Sequence, residues 1–193
     1  LFMFLGGVNF YLHFRAINDR DIGVYLRNKE FGYMLAWFFI ASIIAYALIS
    51  RTTFMGEGIV GEFNNITDMV LMVVSAGTST GFVGDVPLSA WPLSAIMLLF
   101  LISFIGASSG STAGGVKISR VIISFKYLWN GIKQMIYPRG IFDVKMEKQS
   151  LDESIVSSAV VIFLLFLISV IVGSAVLVAT GLPFLDSVYT SIS

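Results

Sequence analysis

Residues 78 to 82, Thr-Ser-Thr-Gly-Phe, end an apolar run with hydroxyls and a glycine that a lipid interior would not accept. Non-helical backbone at membrane depth is tolerated only when it is buried in protein or lines a water-filled cavity. Extended, Thr78, Ser79, Thr80, Gly81 and Phe82 offer carbonyls and hydroxyls that can replace the hydration shell of a dehydrated ion. Gly81 supplies a backbone conformation that a Cβ resists, and Phe82 is expected to pack behind the strand and hold it. The competing reading is a Thr-rich turn between two helices. A second such stretch, residues 106 to 115, reads Gly-Ala-Ser-Ser-Gly-Ser-Thr-Ala-Gly-Gly. Its Gly106, Gly110 and Gly114, four residues apart, fit a small-xxx-small helix-packing face. The same ten small or hydroxylated residues, ending in adjacent Gly114 and Gly115, also fit a broken helix, because their helix propensity is poor.

The elements that would position these stretches belong in a membrane. The chain is 56% hydrophobic and 12% charged, with a mean hydropathy of +0.88, far from the balance of a soluble domain. It has no cysteine and a single histidine, His13, which excludes a disulfide framework and a multi-histidine metal centre. Zero formal net charge argues against nucleic acid as a partner. A spanning helix needs about 20 mainly apolar residues. Residues 32–50 and 154–180 satisfy that, whereas 66–77 would reach only about 18 Å. Residues 91–105 are also short, run into the Gly/Ser stretch, and continue as an amphipathic segment to 135. Residues 1–16 read as the end of an earlier helix, and 17–31 and 136–153 as polar links.

The basic residues orient the chain. If 66–77 dips in and returns, Arg15, Arg20, Arg27, Lys29, Lys117, Arg120, Lys126, Lys133, Arg139, Lys145 and Lys148 share one side, the cytoplasmic one, and only Arg51 opposes. A full crossing at 66–77 would split the two clusters. Asn64 or Asn65 is expected to cap the dipping helix, with Asp68 at its positive end. Its C-terminus near Gly77 would carry about half a negative charge toward mid-membrane, where it attracts a cation.

A short helix, then Thr-Ser-Thr-Gly-Phe, then a helix interrupted by Gly-Ala-Ser-Ser-Gly-Ser-Thr-Ala-Gly-Gly-Val-Lys-Ile-Ser-Arg, resembles the Trk/Ktr/HKT superfamily of potassium transporters, most of all its TrkH branch. The segment from Tyr137 to Glu153 resembles that branch's link to its fourth module. The resemblance implies an all-α polytopic membrane protein built from helix–pore helix–filter–helix modules of the potassium-channel type, with a broken second helix. Residues 32–135 would be one complete module: outer helix 32–50, pore helix 66–77, filter 78–82 and broken inner helix 91–135. The filter would hold potassium at Thr78, Ser79, Thr80 and Gly81. Gly106, Ser108, Ser109, Gly110, Gly114 and Gly115 would form a gate beneath it, with Lys117 near its cytoplasmic end. No cofactor is implied in this chain; potassium is the substrate. Implied partners are a second copy in a homodimer, a cytosolic nucleotide-binding regulatory subunit of the TrkA/KtrA type, and membrane lipid, in the bacterial inner membrane. Lys126 and Lys133 fit a basic face near anionic lipid. Lys117 would disfavour cations if it faced the path.

An internal repeat supports the modules. Residues 66–75 and 184–193 share Asp68/Asp186 and Ser75/Ser193 at matched positions, each after a long span. Residues 154–193 then read as the start of the next module, with Pro183 opening a truncated pore helix over 183–193, and the chain as a piece of a longer polypeptide. Three rivals remain. Gly-Ala-Ser-Ser-Gly is similar to the serine motif of rhomboid intramembrane proteases, with His13 as the available base for Ser108 or Ser109. A carrier could bind at the broken helix. A sodium-permeable member of the superfamily would differ in the filter glycines of other modules, whereas Gly81 here is compatible with potassium.

Overall fold

The structure is a computed structural model that describes residues 1–50, 59–84, 91–137, 140, 142–146 and 149–192, the side chains of 59–65, 146 and 149 excepted. Arg51, Arg139, Lys148 and Ser193, used above in the charge map and the repeat, lie outside the described residues. The chain divides into two compact units, Leu1–Gly115 together with Ile192, and Val116–Ser191.

The first unit opens with α1 (Phe2–Gly7) and α2 (Phe10–Asn18). The expected single helix end over 1–16 is therefore two helices. Gly6 and Gly7 weaken the helix, Val8 turns extended, and the Asn9 side chain accepts the Tyr11 N–H at 2.8 Å to start α2. After the short α3 (Gly23–Arg27), α4 spans Lys29–Ile49. It starts earlier than expected because Asn28 caps it, accepting the Phe31 N–H at 2.9 Å. At 21 residues it is long and apolar enough to cross a membrane. Its buried stripe is Met34, Phe38, Ala41, Ala45 and Ile49, at helical spacing.

α5 (Ile59–Gly77) corrects the expected helix start. Asn64 and Asn65 do not cap it; they lie within it, because asparagine is only mildly unfavourable inside a helix. With 19 residues, α5 is about 28 Å long, so shortness is not what makes it re-entrant. Depth is. A Cβ on Gly77 would strike the Phe38 ring and lie 3.1 Å from Ile102. Phe38 is only about 14 Å along an α4 about 32 Å long, so α5 ends roughly halfway down the span. The chain then turns back: the Gly84 N–H reaches Met72 Sδ at 3.3 Å, and a Cβ on Gly84 would lie 3.1 Å from the Asp68 carboxyl carbon.

α6 (Leu93–Ile105) is about 20 Å long. Its Ile102 lies against Gly77, while Ser109, just beyond its end, bonds Glu30 at the start of α4. α4 and α6 are thus antiparallel around α5. The buried Ser103 hydroxyl, a polar group in an apolar helix, finds its partner at Ala76 O, 3.1 Å away.

In the second unit, α7 (Ile118–Ile136) packs on α8 (Glu153–Ala179) through Ile123, Val156 and Ala159, with Val144 and Leu151 from the link. The link adds a small antiparallel hairpin, β1 (Lys145–Met146) and β2 (Gln149–Ser150), a detail that the all-helical expectation omitted. Lys126 Nζ donates to Lys145 O at 2.8 Å and Asn130 to Asp143 O at 3.1 Å, which ties the link to α7. α8 has the length and apolarity of a span. α9 (Phe184–Ile192) follows Pro183 with Asp186 in its first turn, whereas Asp68 falls inside α5.

The approach of Gly77 to Phe38 leaves no room for a larger residue. Gly77→Val should destabilise the purified full-length protein by about 1–3 kcal/mol, the usual cost of overpacking, seen as a fall of several degrees in Tm. An unchanged Tm would mean that the depth of the α5 terminus does not depend on this contact.

Candidate functional site

α5 ends in a tight left-handed cap. Ser79 has φ +52, the Thr80 N–H donates to Ser75 O at 3.0 Å and the Ser79 N–H to Ala76 O at 3.2 Å. That is the Schellman arrangement, with serine where glycine is usual. The Thr78 N–H donates to Val74 O at 2.9 Å. The Thr78 hydroxyl reaches the same carbonyl at 2.7 Å and lies 2.7 Å from the Thr80 hydroxyl. Because the single Thr78 proton is directed at the helix, Thr80 is the donor between them. The hydroxyl of Thr78 is thus structural, and its residue is buried against Gly7 of α1.

The amides of Thr78, Ser79 and Thr80 all turn back into the helix. Among the described residues, none donates to the carbonyls of Thr78, Ser79, Thr80 or Gly81. Thr80 and Gly81 are exposed in this chain, and Gly81 has φ +80 with open space around it. Phe82, expected to pack behind the strand, is 63% exposed among the described residues. The positive φ of Ser79 and Gly81, two residues apart, is accompanied by the cap bonds beneath.

Residues 106 to 115 are non-helical, so the helix-packing reading gives way to a break between α6 and α7. Gly106 has φ +73 and Gly115 φ +74, and the ends of the loop touch. A Cβ on Gly106 would strike Gly114 O, and one on Gly115 would lie 2.6 Å from Ser103 O and 2.9 Å from Gly106 N. Gly114 lies directly below the cap, where a Cβ would come within 2.6 Å of Ser79 Oγ. The loop thus brings Gly106, Ser108, Ser109, Gly110, Gly114 and Gly115 together beneath residues 78–81. Lys117 opens α7 in the second unit, with φ +80.

The loop's partners were not read from the sequence. The Ser108 N–H donates to Gly7 O at 3.1 Å, the Thr112 N–H to Gly6 O at 3.2 Å, and the Phe10 N–H to Gly110 O at 3.0 Å. Ser109 N–H donates to Glu30 Oε1 at 2.6 Å. The signal lay in Gly6-Gly7-Val8-Asn9, two weak helix formers followed by a cap residue, which marks a second broken helix facing the first. The protease reading lacks its base: His13 Nε2 donates to Leu5 O at 2.9 Å and Nδ1 faces the Tyr25 hydroxyl at 2.7 Å.

A helix that ends beside the middle of α4, a non-helical return and a broken inner helix make a helical membrane module of the pore-helix type. A family profile described as "TrkH: Cation transport protein" matches residues 1–193. The Trk system potassium uptake protein TrkH of Escherichia coli (strain K12) is 28% identical over 181 residues, 94% of this chain and 36% of that protein. The TrkH protein of Halomonas elongata is 30% identical over 177 residues, 88% of this chain and 35% of that protein. The crystal structure of the potassium transporter TrkH from Vibrio parahaemolyticus superposes with a TM-score of 0.86 at 24% identity, covering 97% of this chain and 39% of that one. The chain therefore spans a little over a third of the length of these relatives. It belongs to the TrkH family of cation transport proteins.

The loop glycines differ in what a side chain would meet. Gly115→Ala and Gly106→Ala combine a left-handed backbone, about 1–2 kcal/mol, with backbone clashes, and should each cost about 3 kcal/mol in total. Gly110→Ala meets only the Asn9 side chain at 3.1 Å and should cost about half as much. Thermal unfolding of the purified variants checks the order. A Gly110→Ala loss equal to the other two would show that loop closure is not what the glycines secure.

Proposed function

We propose that this chain forms one complete module of a potassium uptake pore, with potassium held by the backbone carbonyls of Thr78, Ser79, Thr80 and Gly81. The observation that carries the reading is the return of the chain at the mid-depth end of α5, with those carbonyls unclaimed by any described donor. The alternating sign of φ through Ser79, Thr80 and Gly81 supports it further. The C-terminal end of α5 adds its partial negative charge to the same place. The loop at 106–115, directly below, is the barrier in the path.

The names of the curated relatives, potassium uptake proteins of a Trk system, support potassium as the substrate and further subunits as partners. We propose a homodimer in the bacterial inner membrane, crossing it several times, with a cytosolic nucleotide-binding subunit of the TrkA/KtrA type. The basic face of α7 would meet anionic lipid.

Cation flux into liposomes carrying the full-length protein tests the filter. Wild type should prefer potassium and rubidium over sodium. Gly81→Ser forces a side chain into φ +80, a strain of about 1–2 kcal/mol, and should reduce the preference about tenfold. A mutant as selective as wild type removes the filter assignment, and sodium passage by wild type favours the sodium-permeable reading. Removing residues 109–112 should raise flux severalfold while leaving the potassium-to-sodium ratio unchanged. Unchanged flux would remove the barrier role.

A further inference from the structure

One buried ionisable side chain outside the strand and the loop is committed to the loop. Glu30 lies in the first turn of α4 and is 8% exposed. Its Oε1 accepts the Ser109 N–H at 2.6 Å. A bond from an amide to a carboxylate is roughly twice as strong as its neutral counterpart. A carboxylate at this depth of burial is costly without such a donor, and the positive end of α4 favours its charge. Ser109 is at the loop's tip. On either side of it, Ser108 is tied to Gly7 O and Gly110 to the Phe10 N–H. Those two bonds hold the tip to the α1–α2 break. The bond to Glu30 ties it to the first turn of α4, across 79 residues of sequence.

We infer that Glu30 is the positioning residue that latches the 106–115 loop beneath the filter strand, an inference that rests on the reading of that loop as the barrier. Removing the carboxylate takes away the acceptor of the part-buried Ser109 N–H and with it this tie to α4, so the loop loosens. The carboxylate acts through the loop and touches no ion.

The test uses full-length protein without other cysteines, carrying Ala113→Cys as a reporter; Ala113 is 6% exposed in the loop. Labelling by a soluble maleimide is compared in the Glu30, Glu30→Ala and Glu30→Gln backgrounds. Glu30→Ala should speed labelling by about tenfold to a hundredfold, the population shift expected from losing one charge-assisted bond. Glu30→Gln retains an acceptor oxygen and should speed it much less. A second reporter, Val73→Cys at a fully buried position of α5, should stay slow in all three. Equal labelling of Ala113→Cys across the three, an equal rise in both variants, or a parallel rise at Val73→Cys overturns the latch. Flux measured on the same samples separates the two readings. Faster labelling with higher flux supports both; faster labelling with unchanged flux supports the latch and removes the barrier role.

Discussion

The arrangement depends on one constraint: every backbone donor released by an interrupted helix must be satisfied where water is scarce. Three interruptions meet in the first unit, at Val8–Asn9, at Thr78–Gly84 and at Gly106–Gly115. Two of them answer each other. Amides of Ser108 and Thr112 take the carbonyls of Gly7 and Gly6, and the amide of Phe10 takes the carbonyl of Gly110. Neither break is satisfied this way alone, so the broken end of the preceding helix and the broken inner helix have to be neighbours. Glu30 accepts a further amide at the tip. The loop is consequently a pinned element, with left-handed residues at both closing ends, and its motion requires a defined set of bonds to give way.

The third interruption is satisfied differently. At the end of α5 the amides of Thr78, Ser79 and Thr80 are consumed inside the cap, and the hydroxyl of Thr78 is spent on Val74 O. Donors are withdrawn and acceptors are left. A surface lined by oxygen without matching N–H groups is attractive to a cation and poor for an anion. The same cap that ends the helix thus leaves acceptors rather than donors beside it.

Much of this was legible in the sequence, for reasons that are physical. α4 and α8 are apolar over enough residues to span, and hydropathy detects that directly. The two Gly/Ser/Thr stretches stood out because lipid rejects them, and their place between helices identified the family. Other features carried no local signal. Asn64 and Asn65 look like a cap, yet asparagine inside a helix costs only a few tenths of a kcal/mol, so α5 continues through them. Glu30 reads as one more charged residue in a polar link. Its burial follows from a loop that folds back from 79 residues away, which periodicity does not see. Gly6-Gly7-Val8-Asn9 was visible as residues, but its meaning as a break came only with the partner that fills it. Phe82 is exposed among the described residues, and its residue type alone does not say what it would lean on.

Ser79 and Gly81 show why equal conformations need not demand equal residues. Both have positive φ, +52 and +80, a region costing an ordinary side chain about 1–2 kcal/mol. At Ser79 the geometry is over-determined by the two cap bonds above and below it and by Gly114 packed against its side chain. Such support lets a strained non-glycine residue persist. At Gly81 there is no comparable support: nothing lies within 4 Å of where its Cβ would be. Space is plentiful there, so glycine is required for its backbone and not for its size. A side chain at this position would fit and yet turn the peptide, moving the carbonyls on either side. Room around a residue is therefore no measure of its tolerance: Gly81 has space for a side chain and still lacks a backbone conformation that would suit one.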